Sequence, residues 1–397
     1  MRGKHRGKFV AAAAMAISAI AAAGMVASPL AQAAPIPIPS FIGQFHTIST
    51  VASTVPHILG PGNGDLNPYG VAVVQHSEGR LVKGNVLVSN FNNYKNQQGT
   101  GSTIMSISPS GHASVFARIL PVGLPGACPG GIGLTTALSI LNNGWVVVGS
   151  LPTVAGNPAT MKAGCLLVLN DQGRVVTTFS GHGINGPWDM TAVNFGGFSE
   201  LFVTNVLNGT VEAALKDGID PSTTPGPIVD GGTVLRLLVT TPSFGRPLLL
   251  RTTVIGSRFA ERTDPNALVI GPTGVALGEH DDLYVADTVN NRIAGIQHAL
   301  IRFTSNLTGF TVSIHHYLNG PLGLAIAPPP YNDILSVNGG DGYIVETSVN
   351  GGHHARKLLD STGSPPGAGA LFGLAVAPQG KGIYFVNDNT NTLNLLH

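Results

Sequence analysis

The sequence has few charged residues. Only 10% of its 397 residues are Asp, Glu, Lys or Arg, whereas Gly occurs 53 times and Pro 28 times. This composition suits a chain of many short strands and turns. The apolar content of 43% is enough for a large core, which excludes an intrinsically disordered chain.

Beyond the N-terminus the sequence also lacks any run of basic residues. Arg2, Lys4, Arg6 and Lys8 lie in the first eight positions, and removing these four from the 21 basic residues leaves 17 against 20 acidic ones, a net charge of −3. Nucleic-acid binding depends on concentrated positive charge, so nucleic acid is not an expected partner.

The basic N-terminus leads into an Ala-rich apolar segment over 9–27, and Ala31, Gln32 and Ala33 fit an A-x-A cleavage site. This order predicts a signal peptide over 1–33 and a secreted or periplasmic protein. An uncleaved anchor is the alternative, because the segment is nearly long enough to span a bilayer. We expect cleavage, and no stable membrane insertion after it.

Cysteine is scarce, and the motifs of common enzyme classes are missing. Cys128 and Cys165 are the only two cysteines, and in an exported chain they are expected to form a disulfide rather than a catalytic thiol. There is no G-x-S-x-G, no H-E-x-x-H and no P-loop. No reaction class follows from the motifs.

What the sequence does contain is a repeated pattern, clearest over 271–293 (GPTGVALGEHDDLYVADTVNNRI). Short apolar runs bounded by Gly, Asn and Asp are typical of antiparallel strands joined by hairpins. Six such units follow one another from Asn67 to the C-terminus. Their anchor positions, spaced by 49 to 85 residues as in propeller repeats with insertions, are Gly70, Leu134, Asp189, Gly274, Gly323 and Gly373.

These units resemble NHL repeats, and the whole chain resembles exported bacterial NHL-repeat proteins, a resemblance that carries no activity with it. It implies an all-β, six-bladed β-propeller of the NHL/TolB-like type. The last unit provides only three strands, so we predict that the segment 44–53 adds its outer strand and closes the ring. Residues 34–43 are then an extended Pro-rich spacer, and 44–397 form a single propeller domain.

A small polar residue ends the second strand of every unit. Their oxygens could hold a hard cation such as calcium, or each side chain could cap its own turn, which its presence in all six units favours. These residues are Asn90, Ser150, Asn205, Asp287, Asn338 and Asn387.

Asp189 occupies the place where four other units have Gly, and such breaks in a local pattern are enriched at functional sites. Trp188 beside it offers an amphipathic ring to a ligand or partner. The structural alternative is that Asp189 caps a turn and Trp188 packs between blades. Both residues, with the Asn and Asp members of the polar set, are the candidate binding or channel residues.

Three functional hypotheses follow. The long insertions fall on one face of the predicted propeller, which favours a platform that binds a small ligand or a protein there. Related six-bladed folds include calcium-dependent lactonases and an amidating lyase, which implies a metal-dependent hydrolase or lyase as the alternative, with a calcium site in the central channel formed by Asp189, Asn205, Asp287 and Asn338. A structural surface protein with a blocked channel and an apolar patch is the third.

Overall fold

The structure is a computed structural model that describes residues 39–57 and 64–397. The predicted signal peptide and most of the predicted spacer lie outside the described residues. Within the described residues, 25 strands form six antiparallel sheets arranged as the blades of a six-bladed β-propeller. No described helix has the length and apolar character needed to cross a membrane.

The strands are numbered in chain order and grouped by blade. They are β1 (Ile48–Ser53); in blade I β2 (Leu66–Val73), β3 (Val86–Asn92), β4 (Thr103–Ile107) and β5 (Ala113–Arg118); in blade II β6 (Leu134–Ile140), β7 (Val146–Ser150), β8 (Cys165–Leu169) and β9 (Val175–Phe179); in blade III β10 (Gly186–Phe195), β11 (Phe198–Val206), β12 (Val229–Thr240), β13 (Leu249–Asp264) and β14 (Leu268–Ile270); in blade IV β15 (Pro272–Leu277), β16 (Leu283–Asp287), β17 (Arg292–Ile296) and β18 (Phe310–Ile314); in blade V β19 (Pro321–Ile326), β20 (Ile334–Asn338), β21 (Tyr343–Thr347) and β22 (His353–Leu358); and in blade VI β23 (Leu371–Val376), β24 (Ile383–Asn387) and β25 (Thr392–Leu396).

Helical structure within the described residues is limited to one short α-helix and single 3-10 turns. These are α1 (Thr210–Lys216) and the turns Ile42–Gln44, Asn142–Gly144, Pro158–Thr160, Glu279–Asp281, Thr288–Asn290 and Pro378–Gly380.

The ring is closed by the N-terminal strand, as predicted. β1 pairs with β25 in antiparallel register, from Ile48 opposite Leu396 to Ser53 opposite Thr392, and becomes the fourth strand of blade VI. Because this blade contains both ends of the described chain, the ladder between β1 and β25 holds those two ends together and closes the ring.

The end of the predicted spacer differs from the expected extended segment. Phe41 and Ile42 are buried against blades V and VI, and residues 42–44 form a 3-10 turn. The carboxylate of buried Glu346 accepts hydrogen bonds from the backbone N–H groups of Phe41 (2.7 Å) and Ile42 (2.8 Å). These bonds satisfy the free donors of the turn, so residues 40–43 pack as part of the propeller.

The inner strand of each blade approaches its neighbour closely, which explains the repeated glycine. A Cβ atom built at Gly274, Gly323 or Gly373 would lie 2.0–2.2 Å from a backbone carbonyl oxygen of the next blade. The prediction of Leu134 as the equivalent residue of blade II is wrong. Leu134 pairs with Ser150 and Leu138 with Val148, so β6 contains one extra residue and Ala137 takes the anchor position.

The disulfide between Cys128 and Cys165 is present, with a Cα–Cα distance of 5.2 Å. It ties the connection between blades I and II to the first residue of β8, at the face where the long loops lie. We expect a Cys128→Ala/Cys165→Ala variant to lose about 3–4 kcal/mol of unfolding free energy, because the unfolded chain gains loop entropy. Urea unfolding of both proteins measures this. Dithiothreitol should destabilise the wild type to the same level and leave the variant unchanged; a variant as stable as the wild type would contradict the prediction.

Candidate functional site

Large side chains plug the centre of the propeller. They come from the residue before the anchor, and include Tyr69 of blade I, Trp188 of blade III and Phe372 of blade VI. The rings of Tyr69 and Phe372 stack with centroids 3.9 Å apart, and Trp188 lies 6.5 Å from Tyr69 across the axis. All three are at most 4% exposed, so the channel is closed at this level.

The long loops pack onto this plug. Leu151, Met161, Val211 and Leu268, which belong to the insertions of blades II and III, are buried in one cluster with the plug. The indole N–H of Trp188 donates to the carbonyl oxygen of Val269 (3.3 Å). The face that the sequence favoured for binding is therefore covered, at its centre, by a hydrophobic core, and Trp188 lies inside it.

A cavity of about 680 Å³ occupies the channel on the other side of the plug. It opens on the face that carries the hairpins between first and second strands. Its wall includes a ring of small residues, two positions after the anchor of each blade: Ala72, Ser139, Thr191, Ala276, Ala325 and Ala375. Bulky residues before the anchor close the channel, and small residues after it leave the cavity open.

Asp189 lines the floor of this cavity and is 8% exposed. Its carboxyl oxygens accept hydrogen bonds from the backbone N–H groups of Met190 (2.8 Å) and Val275 (3.3 Å). Burial raises the pKa of Asp189 from 3.8 to about 8, and the two N–H groups offset only part of that rise. The side chain is therefore a neutral carboxylic acid at neutral pH.

Thr136 also lines the floor, and nothing in the sequence pattern pointed to it. It lies just before Ala137 in blade II and is 3% exposed, and its hydroxyl has no hydrogen-bond partner among the described residues. The sequence pattern did not indicate Thr136, because the extra residue in β6 shifts Thr136 away from its expected place in the repeat. The floor thus holds two polar side chains, on neighbouring blades II and III.

The polar residues that end the second strands lie on the loop-rich side of the plug. Each of them pairs with the inner-strand residue two positions before the anchor, as Asn90 does with Pro68. In blade II, which has the extra residue, the partner lies three positions before the anchor. All six are buried, and they bond to nearby turns and loops: the amide of Asn90 donates to the carbonyl oxygen of Thr54 (2.9 Å), and the Asn387 side chain accepts from the N–H of Thr390 (3.1 Å). Among the described residues, Asn387 alone of the six bonds a backbone group of the turn that follows it, as turn capping requires. Asn90, Ser150, Asn205 and Asn338 bond instead to loops that precede their strands.

The four residues proposed for calcium do not fit a common site. Asp189 lies on the cavity side of the plug, whereas the other three lie on the loop-rich side. The oxygens of Asp287 pair with Arg292 (2.9 Å) and the Asn290 amide, and Asn205 Oδ1 accepts two backbone N–H bonds. These oxygens are therefore already engaged by donors of the protein.

The fourth proposed ligand is Asn338, whose amide donates to the carbonyl oxygen of Tyr317 (2.7 Å). No cluster of three His, Cys, Asp or Glu suited to a metal occurs in the described residues. Calcium binding stays a prediction, which elemental analysis of the purified protein before and after chelation tests.

Two more carboxyls with a raised pKa lie on the loop-rich side. Glu261 in β13 accepts the N–H of Asn208 (2.8 Å), and burial raises its pKa to about 7. Asp388 follows β24, and burial raises its pKa to about 7 as well. Neither lines the cavity, so they bear on stability rather than on the site.

Comparisons with known proteins agree with the fold. The NHL repeat family model matches residues 270–296, from the last residue of β14 through the first three strands of blade IV. A search of curated proteins finds no match. Among solved structures, a proposed oxidoreductase (glucose dehydrogenase) of Thermus thermophilus is 14% identical, covering 88% of this chain and 99% of that one, with a TM-score of 0.51.

Two further solved structures are propellers of lower similarity. A gluconolactonase of Xanthomonas campestris is 11% identical over 88% of this chain and 97% of its own, with a TM-score of 0.49. The calcium-binding protein regucalcin of Agrobacterium tumefaciens is 11% identical over 87% and 94%, with a TM-score of 0.49. Similarity at this level shows the propeller fold alone.

Proposed function

We propose that the protein binds a small, largely apolar molecule in the channel cavity. The observation that carries this proposal is Asp189, a neutral acid on the floor of a cavity with mostly aliphatic walls. A protonated carboxyl can donate a hydrogen bond to a carbonyl or hydroxyl oxygen of a ligand. A cavity of this size, whose wall combines aliphatic side chains with converging polar groups, is typical of small-molecule sites.

The proposal keeps the predicted binding role and moves its site. The sequence favoured the loop-rich face, whereas the cavity opens on the opposite face, where the hairpins are short. The disulfide fits an exported protein that works in an oxidising compartment. A purely structural role accounts for the plug but gives no reason for an acid beside an open cavity.

An enzymatic role lacks a comparable argument. The residues proposed as calcium ligands are divided by the plug. No nucleophile with an adjacent base stands out in the cavity wall. We therefore derive no reaction from the site.

Prodan, a neutral naphthyl ketone whose emission shifts to the blue in apolar surroundings, tests the proposal. We expect one saturable site at pH 6, with a dissociation constant of about 1–100 μM given the cavity size. Affinity should fall above pH 8, because ionised Asp189 can no longer donate to the ketone. Fluorescence titration at several pH values measures both effects.

Two alanine variants supply the control for this titration. Ala375→Leu fills part of the cavity and should weaken prodan binding about tenfold or more, because the lost contacts cannot be replaced. Ala113→Leu adds the same atoms to an exposed position of β5 and should bind like the wild type. Equal binding by both variants, or no saturable binding by the wild type, would overturn the proposal.

A further inference from the structure

The wall of the channel cavity is divided between two halves of the propeller. Blades IV, V and VI contribute only aliphatic side chains and glycine to it, among them Leu277, Ile326 and Val376. Every polar side chain that lines the cavity comes from blades I, II and III. The cavity therefore has one hydrocarbon side and one polar side.

The polar side carries hydrogen-bonding groups at both depths of the cavity. Thr136 and Asp189 lie at the floor, and Gln75, His76 and Glu78 lie exposed at the mouth. The hydroxyl of Thr136 is buried without a partner among the described residues, which is unfavourable unless a ligand or water reaches it and forms a hydrogen bond. A bound molecule with a polar group on this side would relieve that cost.

The charges around the cavity favour one class of ligand over another. No Lys or Arg lines it among the described residues, and Glu78 at the mouth is a carboxylate. His76, also at the mouth, is the one lining side chain in the described part of the chain that can carry a positive charge. An anionic ligand would lose its hydration at the floor without gaining a Lys or Arg, and it would face Glu78 at the mouth. Burying an unpaired charge in this way is strongly unfavourable.

We propose that the ligand is a two-faced, non-anionic molecule. Its hydrocarbon side lies against blades IV to VI, and its hydroxyl, amide or amine groups lie against blades I to III, with one of them bonded to Thr136. This inference rests on the proposed function, since it describes the occupant of the same cavity. It adds the chemical class and the orientation of that occupant.

Three naphthalene probes of similar size test the class. They are an alcohol, 2-(2-naphthyl)ethanol; a hydrocarbon, 2-ethylnaphthalene; and an anion, the carboxylate of 2-naphthylacetic acid, called the acetate below. Titrations at pH 7.5, where an imidazole contributes less positive charge than at pH 6, use the intrinsic fluorescence of the probes. We expect the alcohol to bind about threefold to tenfold more tightly than the hydrocarbon, because it satisfies a buried hydrogen-bonding group. The acetate should bind at least about tenfold more weakly than the alcohol, because its charge is buried without a partner.

Two isosteric exchanges on opposite sides of the cavity test the orientation. Thr136→Val removes the unpaired hydroxyl, and should weaken the alcohol about threefold to fivefold while the hydrocarbon binds as before. Val376→Thr places a hydroxyl on the aliphatic side and should weaken the hydrocarbon. Melting curves of both variants report whether the fold is kept.

The outcomes separate this inference from the proposed function. If prodan binds but the acetate binds as tightly as the alcohol, or Thr136→Val weakens alcohol and hydrocarbon equally, the two-faced ligand is wrong and the binding cavity stands. If prodan itself fails to bind, the proposed function is wrong and this inference falls with it.

Discussion

Between pH 4 and pH 8 the free energy of unfolding is expected to fall by about 5 kcal/mol through Asp189 alone. Burial raises the pKa of this carboxyl from 3.8 to about 8, and its hydrogen bonds to two backbone N–H groups offset only part of the rise. Each unit of pKa difference between the folded and unfolded states corresponds to about 1.4 kcal/mol.

The direction of the change follows from the protons bound in each state. Above pH 4 the unfolded chain has lost the Asp189 proton, whereas the folded protein keeps it until about pH 8. Stability rises with pH only where the unfolded state binds more protons, and here the folded state binds more. The contribution of Asp189 is therefore fully present below pH 4, is lost progressively as the pH rises, and changes no further above pH 8.

Urea unfolding at pH 5 and pH 8, for the wild type and Asp189→Asn, measures this effect. The variant should lose the part of the pH dependence that Asp189 contributes, about 3–4 kcal/mol between these two pH values, and be more stable than the wild type at pH 8. Its amide cannot accept from both Met190 and Val275, which costs about 1 kcal/mol at every pH. Glu261 and Asp388, whose pKa values burial raises to about 7, give a slope of the same sign in both proteins, so the difference between the two proteins reports Asp189.

Equal pH dependence in the two proteins would show that Asp189 is ionised in the folded state. The neutral donor at the cavity floor would then be lost, and with it the main argument for the proposed function. The stability measurement therefore tests the site without any knowledge of the ligand.

The fold could be predicted from the sequence because its signals are local and repeated. Short apolar runs and turn residues indicate the hairpins of each blade, and the resemblance to NHL repeats identified them as blades. The missing strand of the last blade led to the segment 44–53, and the structure pairs Ile48–Ser53 with the C-terminal strand. Errors arose where the repeat was irregular or absent. One extra residue in β6 moved the anchor from Leu134 to Ala137, and Ile42–Gln44 form a packed turn where an extended spacer was predicted.

The site could be predicted only in part, because it depends on how six blades meet. Asp189 attracted attention since it breaks the glycine pattern, but the sequence did not indicate on which side of the plug it would lie. The cavity needs bulky residues such as Tyr69 before the anchor and small ones such as Ala72 after it. Four blades repeat the pattern Gly-x-Ala, as in Gly373 and Ala375. This pattern is visible in the sequence, but only the ring arrangement shows that its alanines line a cavity.

Gly373→Ala is expected to destabilise the protein by about 3 kcal/mol or more, at the upper end for an overpacked core. The added Cβ would lie 2.1 Å from the carbonyl oxygen of Tyr69, a backbone atom that a rotamer change cannot move. The clash must therefore push blade VI away from blade I. That displacement also separates Phe372 from Tyr69, whose rings stack at 3.9 Å. Urea unfolding measures the loss, and near-ultraviolet circular dichroism should report the disturbed stack.

Gly197→Ala is the matched control, since a Cβ at Gly197 would meet nothing within 4 Å and its backbone is outside the left-handed region. Its stability should be unchanged or higher by about 0.5 kcal/mol, because alanine restricts the unfolded chain. If Gly373→Ala is as stable as Gly197→Ala, the inner strands do not meet as closely as described, and the glycine pattern has another cause. A large loss of stability confined to Gly373→Ala would instead show that close contact between neighbouring inner strands selects glycine at the anchor position. Asp189, which places a carboxyl at the same position, is then a departure from the repeat that needs a functional reason.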